Sequence, residues 1–284
     1  MKNRNLPFFL LFTVFFTSSS LFALNPSRTY KQLPDKYNMK YEAFMVPTED
    51  GAKLKAWYFP ANVNTTRLVL ISHNGEGNMA DYLRRVDQFT SIGFNVVTYD
   101  YRGFGESSEF EVDNNMFIYP HFQDDMKAMI DFCRKQFVQT FHLYGWGIGA
   151  GLSLGIGWNR NEVKAIIADT PFLSMEDLET RLEDADEPFG GMEVPFAGYD
   201  KKYEPVYSVD NQAATLKNNF KNVLLIIGSN DALFKLADME KIAAKQKKMF
   251  EKKIFVVENP DRKDNFRVDR AAYFTRMGEF LSGK

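Results

Sequence analysis

The stretch LYGWGIGAGLSLG, residues 143–155, decides how the chain folds and leaves its chemistry open. It ends in a literal Gly-x-Ser-x-Gly pattern with Ser153 at the centre. That pattern presents a reactive serine only where a strand leads directly into a sharp turn and a helix. The apolar strand-like run TFHLYG ends at Gly145, which places the centre of such a turn on Gly147.

Ser153 and Gly147 therefore have different predicted environments. Ser153 would lie in the helix after the turn, about 9 Å along its axis from Gly147 at a rise of roughly 1.5 Å per residue. There its hydroxyl would pack between helix and sheet or bond to a carbonyl one turn earlier. Glycine accepts the positive φ of such a turn freely, so Gly147 suits the position sterically but brings no reactive atom. A nucleophilic Ser153 remains an alternative.

Outward from this stretch, short apolar runs alternate with helical patterns along the chain. Before them, residues 41–60 form two extended runs around Glu-Asp-Gly, which predicts a hairpin. Buried strands that alternate with helices imply a mostly parallel central sheet covered by helices on both faces, so the fold class is α/β. The strand-like runs are RLVLISH, FNVVTYD, TFHLYG, VKAIIAD, VLLIIGSND and KIFVVEN.

The alternation stops at about residues 174–216, which are rich in Asp and Glu and interrupted by Pro and Gly. We interpret this stretch as a short, irregular, cap-like insertion over the carboxyl ends of the strands, where ligands bind in open α/β sheets. A solvated acidic surface without a binding role is the alternative.

The amino terminus has the pattern of a secretory signal peptide, residues 1–23. Lys2 and Arg4 precede an apolar run, and small residues lead to a predicted cleavage site near Ala23. The apolar run is shorter than the roughly 20 residues that span a bilayer. We expect one exported domain, residues 24–284, in the periplasm or outside the cell, without stable membrane insertion after cleavage. An uncleaved N-terminal anchor is the alternative.

Composition excludes several classes of function. The formal net charge of −2 gives no electrostatic basis for binding nucleic acid. Cys133 is the single cysteine, so no intramolecular disulfide forms, and its helical pattern predicts a core position. The histidines His73, His121 and His142 show no spacing that would assemble a metal site. We expect no metal and no cofactor.

Five motifs together resemble the α/β-hydrolase superfamily, in particular its serine aminopeptidase-like, esterase and lysophospholipase-like members. Their order and spacing carry the resemblance, which implies the α/β-hydrolase fold and a Ser-His-Asp site. The motifs are LVLISHNGEGN, YDYRGFGESS, LYGWGIGAG, ADTPF and IIGSNDALF.

The resemblance also shows which catalytic groups are replaced. Gly147 stands at the nucleophile position. Asp231 stands at the acid position, although an Asp there could equally cap a helix or hold a turn. No histidine follows His142 in the sequence, and the histidine position falls on Lys263 or Asp264. A lysine base would need a pKa far below its usual value of about 10.4.

An anion-binding turn is the part of the site that the resemblance leaves in place. By resemblance, the N–H groups of Asn74 and Ile148 form the oxyanion hole, with Trp146 beside it and His73 in a mostly structural role. Asn74 replaces the usual glycine and adds a side chain. A helix N-terminus attracts anions, so a carboxylate or phosphate ligand could bind without being cleaved.

The resulting prediction is an exported α/β-hydrolase-fold protein that lacks Ser-His-Asp catalysis and binds a small or acidic ligand or a partner. An alternative is an active esterase or peptidase-type hydrolase that uses Ser153, or a water activated by Asp231 or Asp264. A further alternative is dinucleotide binding, since GWGIGA with Asp169 about 20 residues on fits the Gly-x-Gly-x-x-Ala fingerprint. Two strand-helix units precede this fingerprint, which argues against that alternative.

Overall fold

An eight-stranded sheet forms the centre of the computed structural model. The strand order is β8-β7-β6-β5-β3-β4-β2-β1; the strands from β3 to β8 run parallel to one another, and β2 pairs antiparallel with β4. This confirms the predicted mostly parallel sheet. The strands are β1 (Glu42–Pro47), β2 (Lys53–Phe59), β3 (Leu68–Ser72), β4 (Asn95–Tyr99), β5 (Phe141–Trp146), β6 (Val163–Asp169), β7 (Asn222–Gly228) and β8 (Ile254–Val257).

The structure describes residues 24–138, 140–172, 175–183, 222–231, 233–244, 253–260 and 264–283. The predicted signal segment, most of the predicted insertion and Lys263 lie outside these ranges.

The predicted hairpin is formed by β1 and β2, which pair antiparallel with Glu42 opposite Tyr58. A buried arginine ties the hairpin turn to the first helix after β4. Arg102 donates to Asp125 at 2.7 Å and to Asp50 at 3.0 Å. The hairpin edge of the sheet is thereby fixed to the core.

Helices cover both faces of the sheet, as the alternating pattern predicts. The α1 and α7 side chains join one buried cluster, and those of α2, α3, α4 and α5 join the other. Cys133 of α2 is fully buried, which confirms its predicted core position. The helices are α1 (Leu83–Ser91), α2 (His121–Gln136), α3 (Ile148–Gly157), α4 (Met175–Glu183), α5 (Leu236–Ala244), α6 (Asn265–Val268) and α7 (Arg270–Ser282).

The start of the predicted irregular insertion is a regular helix, α4. Leu178 and Leu182 lie one turn apart on its buried face. Arg181 joins it to the segment after β7, because its guanidinium donates to the Leu233 carbonyl at 2.6 Å and to Asp238 at 3.0 Å. This part of the insertion therefore belongs to the core.

The first described residues, 24–30, form an N-terminal strap across the carboxyl end of the sheet. Within it Asn25–Pro26 pairs in parallel with Glu76–Gly77, just after β3. Among the described helices, none has the length and apolar character needed to cross a membrane.

Candidate functional site

The strand β5 leads directly into a sharp turn at Gly147, and α3 begins at the next residue. Gly147 has φ 56° and ψ −119°, a left-handed conformation that glycine adopts without the strain a side chain would cause. Its N–H donates to the Asp169 carbonyl at 2.9 Å. The strand, turn and helix thus present residue 147 at the carboxyl end of the sheet, with no side chain on it.

Close packing on both sides fixes this turn, which we call the elbow. A methyl group on Gly145 would lie 2.2 Å from the Gly149 carbonyl oxygen. One on Gly149 would lie 2.3 Å from the Ser72 carbonyl oxygen at the end of β3. The absence of side chains at both positions therefore lets α3 approach β3 and β5 closely.

Ser153 lies in the second turn of α3 and is fully buried. Its Oγ donates to the Gly149 carbonyl at 2.6 Å. This is the back-bonded arrangement expected for a serine within a helix. The literal Gly-x-Ser-x-Gly pattern consequently falls inside the helix, and the elbow falls earlier.

The turn after β3 lies against the elbow, but its groups are bonded among themselves. The Asn74 N–H donates to Tyr82 Oη at 2.9 Å. His73 Nδ1 accepts from the Gly75 N–H at 3.1 Å. Burial lowers the pKa of His73 to about 3, so its imidazole is neutral. The Asn74 amide predicted to face an anion is instead satisfied by a phenol.

Ile148 and Trp146 flank Gly147 on either side. Ile148 is buried, and as the first residue of α3 its N–H has no acceptor within the helix. The Trp146 ring lies 6.2 Å from that of Tyr82 and 5.1 Å from the Arg85 guanidinium. The structure therefore brings the β3 turn, Trp146 and Ile148 together around the elbow.

Asp231 lies in the segment after β7 and holds the turn there. Its Oδ1 accepts the N–H groups of Leu233 at 3.0 Å and Phe234 at 2.8 Å. It also lines a cavity of about 300 Å³ with Ser229 and Lys235. These contacts match the turn-holding role that the sequence allowed beside the acid role.

Asp264 occupies the N-cap of α6 and forms a buried ion pair. Its Oδ1 accepts from Arg85 Nη2 at 2.6 Å and from the Phe266 N–H at 3.1 Å. Arg85 Nε donates to Tyr144 Oη at 2.9 Å. Lys263, the other candidate for this position, lies outside the described residues. The ion pair and Trp146 meet at the Arg85 guanidinium, so Asp264 belongs to the surroundings of the elbow.

Comparison with known proteins agrees with this geometry. Residues 64–195 match the family model described as serine aminopeptidase, S33. The Pyrococcus furiosus esterase Pf2001 superposes with a TM-score of 0.69 at 20% identity, covering 92% of this chain and 97% of the esterase. The chain therefore has the α/β-hydrolase fold.

Relatives of this α/β-hydrolase-fold chain include bacterial and plant proteins. The uncharacterized protein YfhR of Escherichia coli K12 is 24% identical over 259 residues, 87% of this chain and 82% of YfhR. The α/β-hydrolase domain-containing protein WAV2 of Arabidopsis thaliana is 25% identical over 159 residues, 54% of this chain and 49% of WAV2. A structure of Est1E from Butyrivibrio proteoclasticus with ferulic acid bound superposes with a TM-score of 0.62 at 17% identity, covering 85% of this chain and 98% of Est1E.

The α/β-hydrolase-fold chain also contains a buried polar network that the sequence did not reveal. Asp169, at the end of β6, accepts from Tyr273 Oη at 2.6 Å and from Asn265 Nδ2 at 2.7 Å. Tyr273 Oη lies 3.0 Å from Tyr144 Oη, which connects Asp169 to the Arg85 ion pair. Burial raises the pKa of Asp169 to about 6. The signal in the sequence is the carboxylate of Asp169 directly after the apolar run AIIA within this strand.

The same network bears on the dinucleotide interpretation. The carboxylate that would contact a ribose hydroxyl is Asp169, which is fully buried and bonded to the final helices.

Within the described ranges, no three His, Cys, Asp or Glu side chains lie where they could hold a metal ion. His121 and His142 lie at the start of α2 and within β5, away from the elbow turn itself.

Proposed function

We propose that this chain is an exported α/β-hydrolase-fold protein that binds a small ligand at the elbow and does not carry out Ser-His-Asp hydrolysis. The observation that carries the proposal is the backbone of Gly147. It has the left-handed φ of 56° directly between β5 and α3, where a nucleophile would have to stand. Because glycine has no side chain, nothing at this position can attack a carbonyl carbon.

The position of the general base supports the same proposal. A serine hydrolase needs a side chain that takes the serine proton and later returns it to the leaving group. The sequence has no histidine after His142. Asp264 is engaged by Arg85 at 2.6 Å and is largely buried. A carboxylate held in this ion pair is a poor replacement for an imidazole that must exchange a proton.

The ligand we propose is small and has a hydrogen-bond acceptor that can approach the start of α3. The Ile148 N–H and the helix dipole favour such a group, including a carboxylate. The Asn74 N–H is already bonded to Tyr82 Oη at 2.9 Å, so a ligand would have to compete with the phenol for the second amide. The aromatic face of Trp146 supplies an apolar contact beside it.

Export is the remaining part of the proposal and has its support in the sequence. Lys2 and Arg4, the apolar run after them and the small residues up to Ala23 form the signal-peptide pattern.

The catalytic part is tested by incubating the purified chain with p-nitrophenyl butyrate and with aminoacyl p-nitroanilides, with Pyrococcus furiosus esterase Pf2001 as the positive control. We expect no turnover above the buffer rate. Turnover that disappears in the Asp231→Ala variant would overturn the proposal. Labelling by a fluorophosphonate probe that is lost in Ser153→Ala would instead establish the alternative of an active hydrolase.

The binding part needs a separate measurement. Acetate, butyrate and methyl butyrate are titrated while amide resonances are followed by NMR. We expect saturable shifts at Ile148 and at the Trp146 indole, and loss of the Ile148 shift in Trp146→Ala. Shifts confined to residues distant from the elbow would contradict binding at this position.

A further inference from the structure

Leu24, the first described residue, is buried beside the elbow. A methyl group on Gly75 would lie 2.6 Å from Leu24 Cδ2 and 2.9 Å from Ile148 Cδ1. The side chains of Leu24 and Ile148 therefore meet over the Cα of Gly75. Leu24 is 0% exposed and belongs to the same apolar cluster as Ile148.

The rest of the N-terminal strap is bonded to the turn that follows β3. The Asn25 N–H donates to the Gly75 carbonyl at 2.9 Å, and the Ser27 N–H donates to the Gly77 carbonyl at 2.8 Å. The Asn78 side chain donates to the Ser27 carbonyl at 3.1 Å. These bonds hold the strap in a fixed register along the turn.

Further bonds join the strap to the loop after β4. The Gly105 N–H donates to the Ser27 carbonyl at 3.0 Å. Arg28 Nη1 donates to the Ser107 carbonyl at 2.7 Å, and Tyr30 Oη donates to Asp100 at 2.6 Å. The strap thus bridges the two loops that follow the neighbouring strands β3 and β4.

Only Leu24 among residues 24–30 is fully buried, and the remaining strap residues are half-buried or exposed. Hydrogen bonds near the surface exchange with water at a net cost of about 1 kcal/mol each. Segments with few buried apolar contacts open at low free energy. The Leu24 side chain is thus the fully buried apolar anchor of the strap, at the opposite end from the half-buried Tyr30 ring, which packs 4.8 Å from the Trp57 ring.

We propose that the space between Gly75 and Ile148 is an apolar subsite, filled here by Leu24 as an internal ligand. A ligand that carries a short aliphatic chain of about the size of a leucine side chain displaces Leu24 and releases the strap. The proposal rests on the proposed function, because it assigns the apolar half of a ligand whose polar half meets the start of α3.

The test compares Leu24→Ala with Leu54→Ala, which removes an equally buried leucine of the same apolar cluster from β2. The probes are 4-methylpentanoate and its neutral amide, titrated by calorimetry. Leu24→Ala should bind both at least about tenfold more tightly than the unmodified chain, as burial of a leucine-sized chain allows. An unchanged affinity, or an equal gain in Leu54→Ala, would overturn the subsite.

A milder variant tests release of the strap without emptying the subsite. Tyr30→Phe keeps Leu24 and removes two bonds of the Tyr30 hydroxyl, one donated to Asp100 and one accepted from the Glu106 N–H. It should raise the affinity for both probes by at least about twofold, because bonds worth roughly 0.5–1.5 kcal/mol each no longer oppose release. It should also speed hydrogen exchange of the Asn25 amide. Unchanged affinity would show that the strap is not displaced.

The two proposals fail in different ways. If the unmodified chain and Leu24→Ala bind the probes equally, and Trp146→Ala abolishes both, then ligand binding at the elbow stands and the Leu24 subsite is refuted. If hydrolysis that depends on Asp231 is found, the proposed function is refuted whatever the affinities are.

Discussion

Tyr82 bonds to Asn74 twice: its Oη accepts the Asn74 N–H at 2.9 Å and donates to the Asn74 side-chain carbonyl at 3.1 Å. The substitution Tyr82→Phe removes the phenol hydroxyl and leaves the buried Asn74 N–H without its partner. This should lower the free energy of unfolding by about 1–3 kcal/mol. The freed amide should also increase the stabilisation that acetate gives. Urea denaturation with and without acetate measures both effects.

Tyr119→Phe is the matched control, because the Tyr119 Oη also accepts a backbone N–H, that of Asp113 at 2.9 Å, away from the elbow. It should lose stability without gaining an acetate response. An acetate response of equal size in both variants would contradict a special role for Asn74.

Replacing Gly147 with serine should not create a hydrolase. A side chain at φ 56° should cost roughly 1–3 kcal/mol of stability, and no histidine follows His142 in the sequence to activate the hydroxyl. Gly147→Ala carries the same backbone strain without the hydroxyl and should lose a similar amount. Thermal denaturation and p-nitrophenyl butyrate turnover measure the two properties. Ester turnover in Gly147→Ser but not in Gly147→Ala would show that a base acts on residue 147.

The Arg85–Asp264 pair should behave as a coupled unit. Removing one member in Arg85→Met or Asp264→Leu leaves a buried charge and should cost about 3–5 kcal/mol. The double variant should lose clearly less free energy of unfolding than the two single variants together. A double-mutant cycle with urea denaturation measures this difference. By comparison, Asp124→Ala breaks a half-exposed pair with Lys127 and should cost at most about 1 kcal/mol. Additive losses at Arg85 and Asp264 would show that the ion pair has little energetic importance.

Asp169 should make stability depend on pH. Burial raises its pKa from 3.8 to about 6, so between these values the folded state binds more protons than the unfolded state. The free energy of unfolding therefore falls as pH rises through this window. Asp169→Asn has no carboxyl that titrates at this position. The free energy of unfolding of Asp169→Asn minus that of the unmodified chain should therefore increase by up to roughly 3 kcal/mol from pH 4 to pH 7. A stability difference that does not change with pH would contradict the buried, protonated carboxyl.

Cleavage of the predicted signal peptide should make Leu24 the first residue of the exported chain. Mass spectrometry of protein isolated from the periplasm or culture medium measures this directly. Ala23→Trp places a large residue where a small one is required and should leave the precursor uncut. An exported chain that retains its original amino terminus would exclude cleavage.

The fold and the position of the elbow follow from the sequence because they depend on local patterns. The run up to Gly145 reads as a buried strand, and the register of Gly147 follows from where that strand ends. The helix α4 was missed, although Leu178 and Leu182 have helical spacing, because the charged residues around them suggested a surface segment. The bond from Asn74 to Tyr82 depends on where a phenol points, and the pair of Arg85 and Asp264 joins residues 179 positions apart. Neither leaves a trace in local sequence.

The close approach of α3 to the sheet at Gly145 and Gly149 has a consequence for protein engineering. The elbow is held by its neighbours and uses no side chain from residue 147, so a chosen side chain can be placed there at a cost of roughly 1–3 kcal/mol of backbone strain. A cysteine at that position would project from a rigid backbone at the carboxyl end of the sheet, with the Ile148 amide beside it. Single reactive groups could therefore be compared at residue 147 without rebuilding the fold.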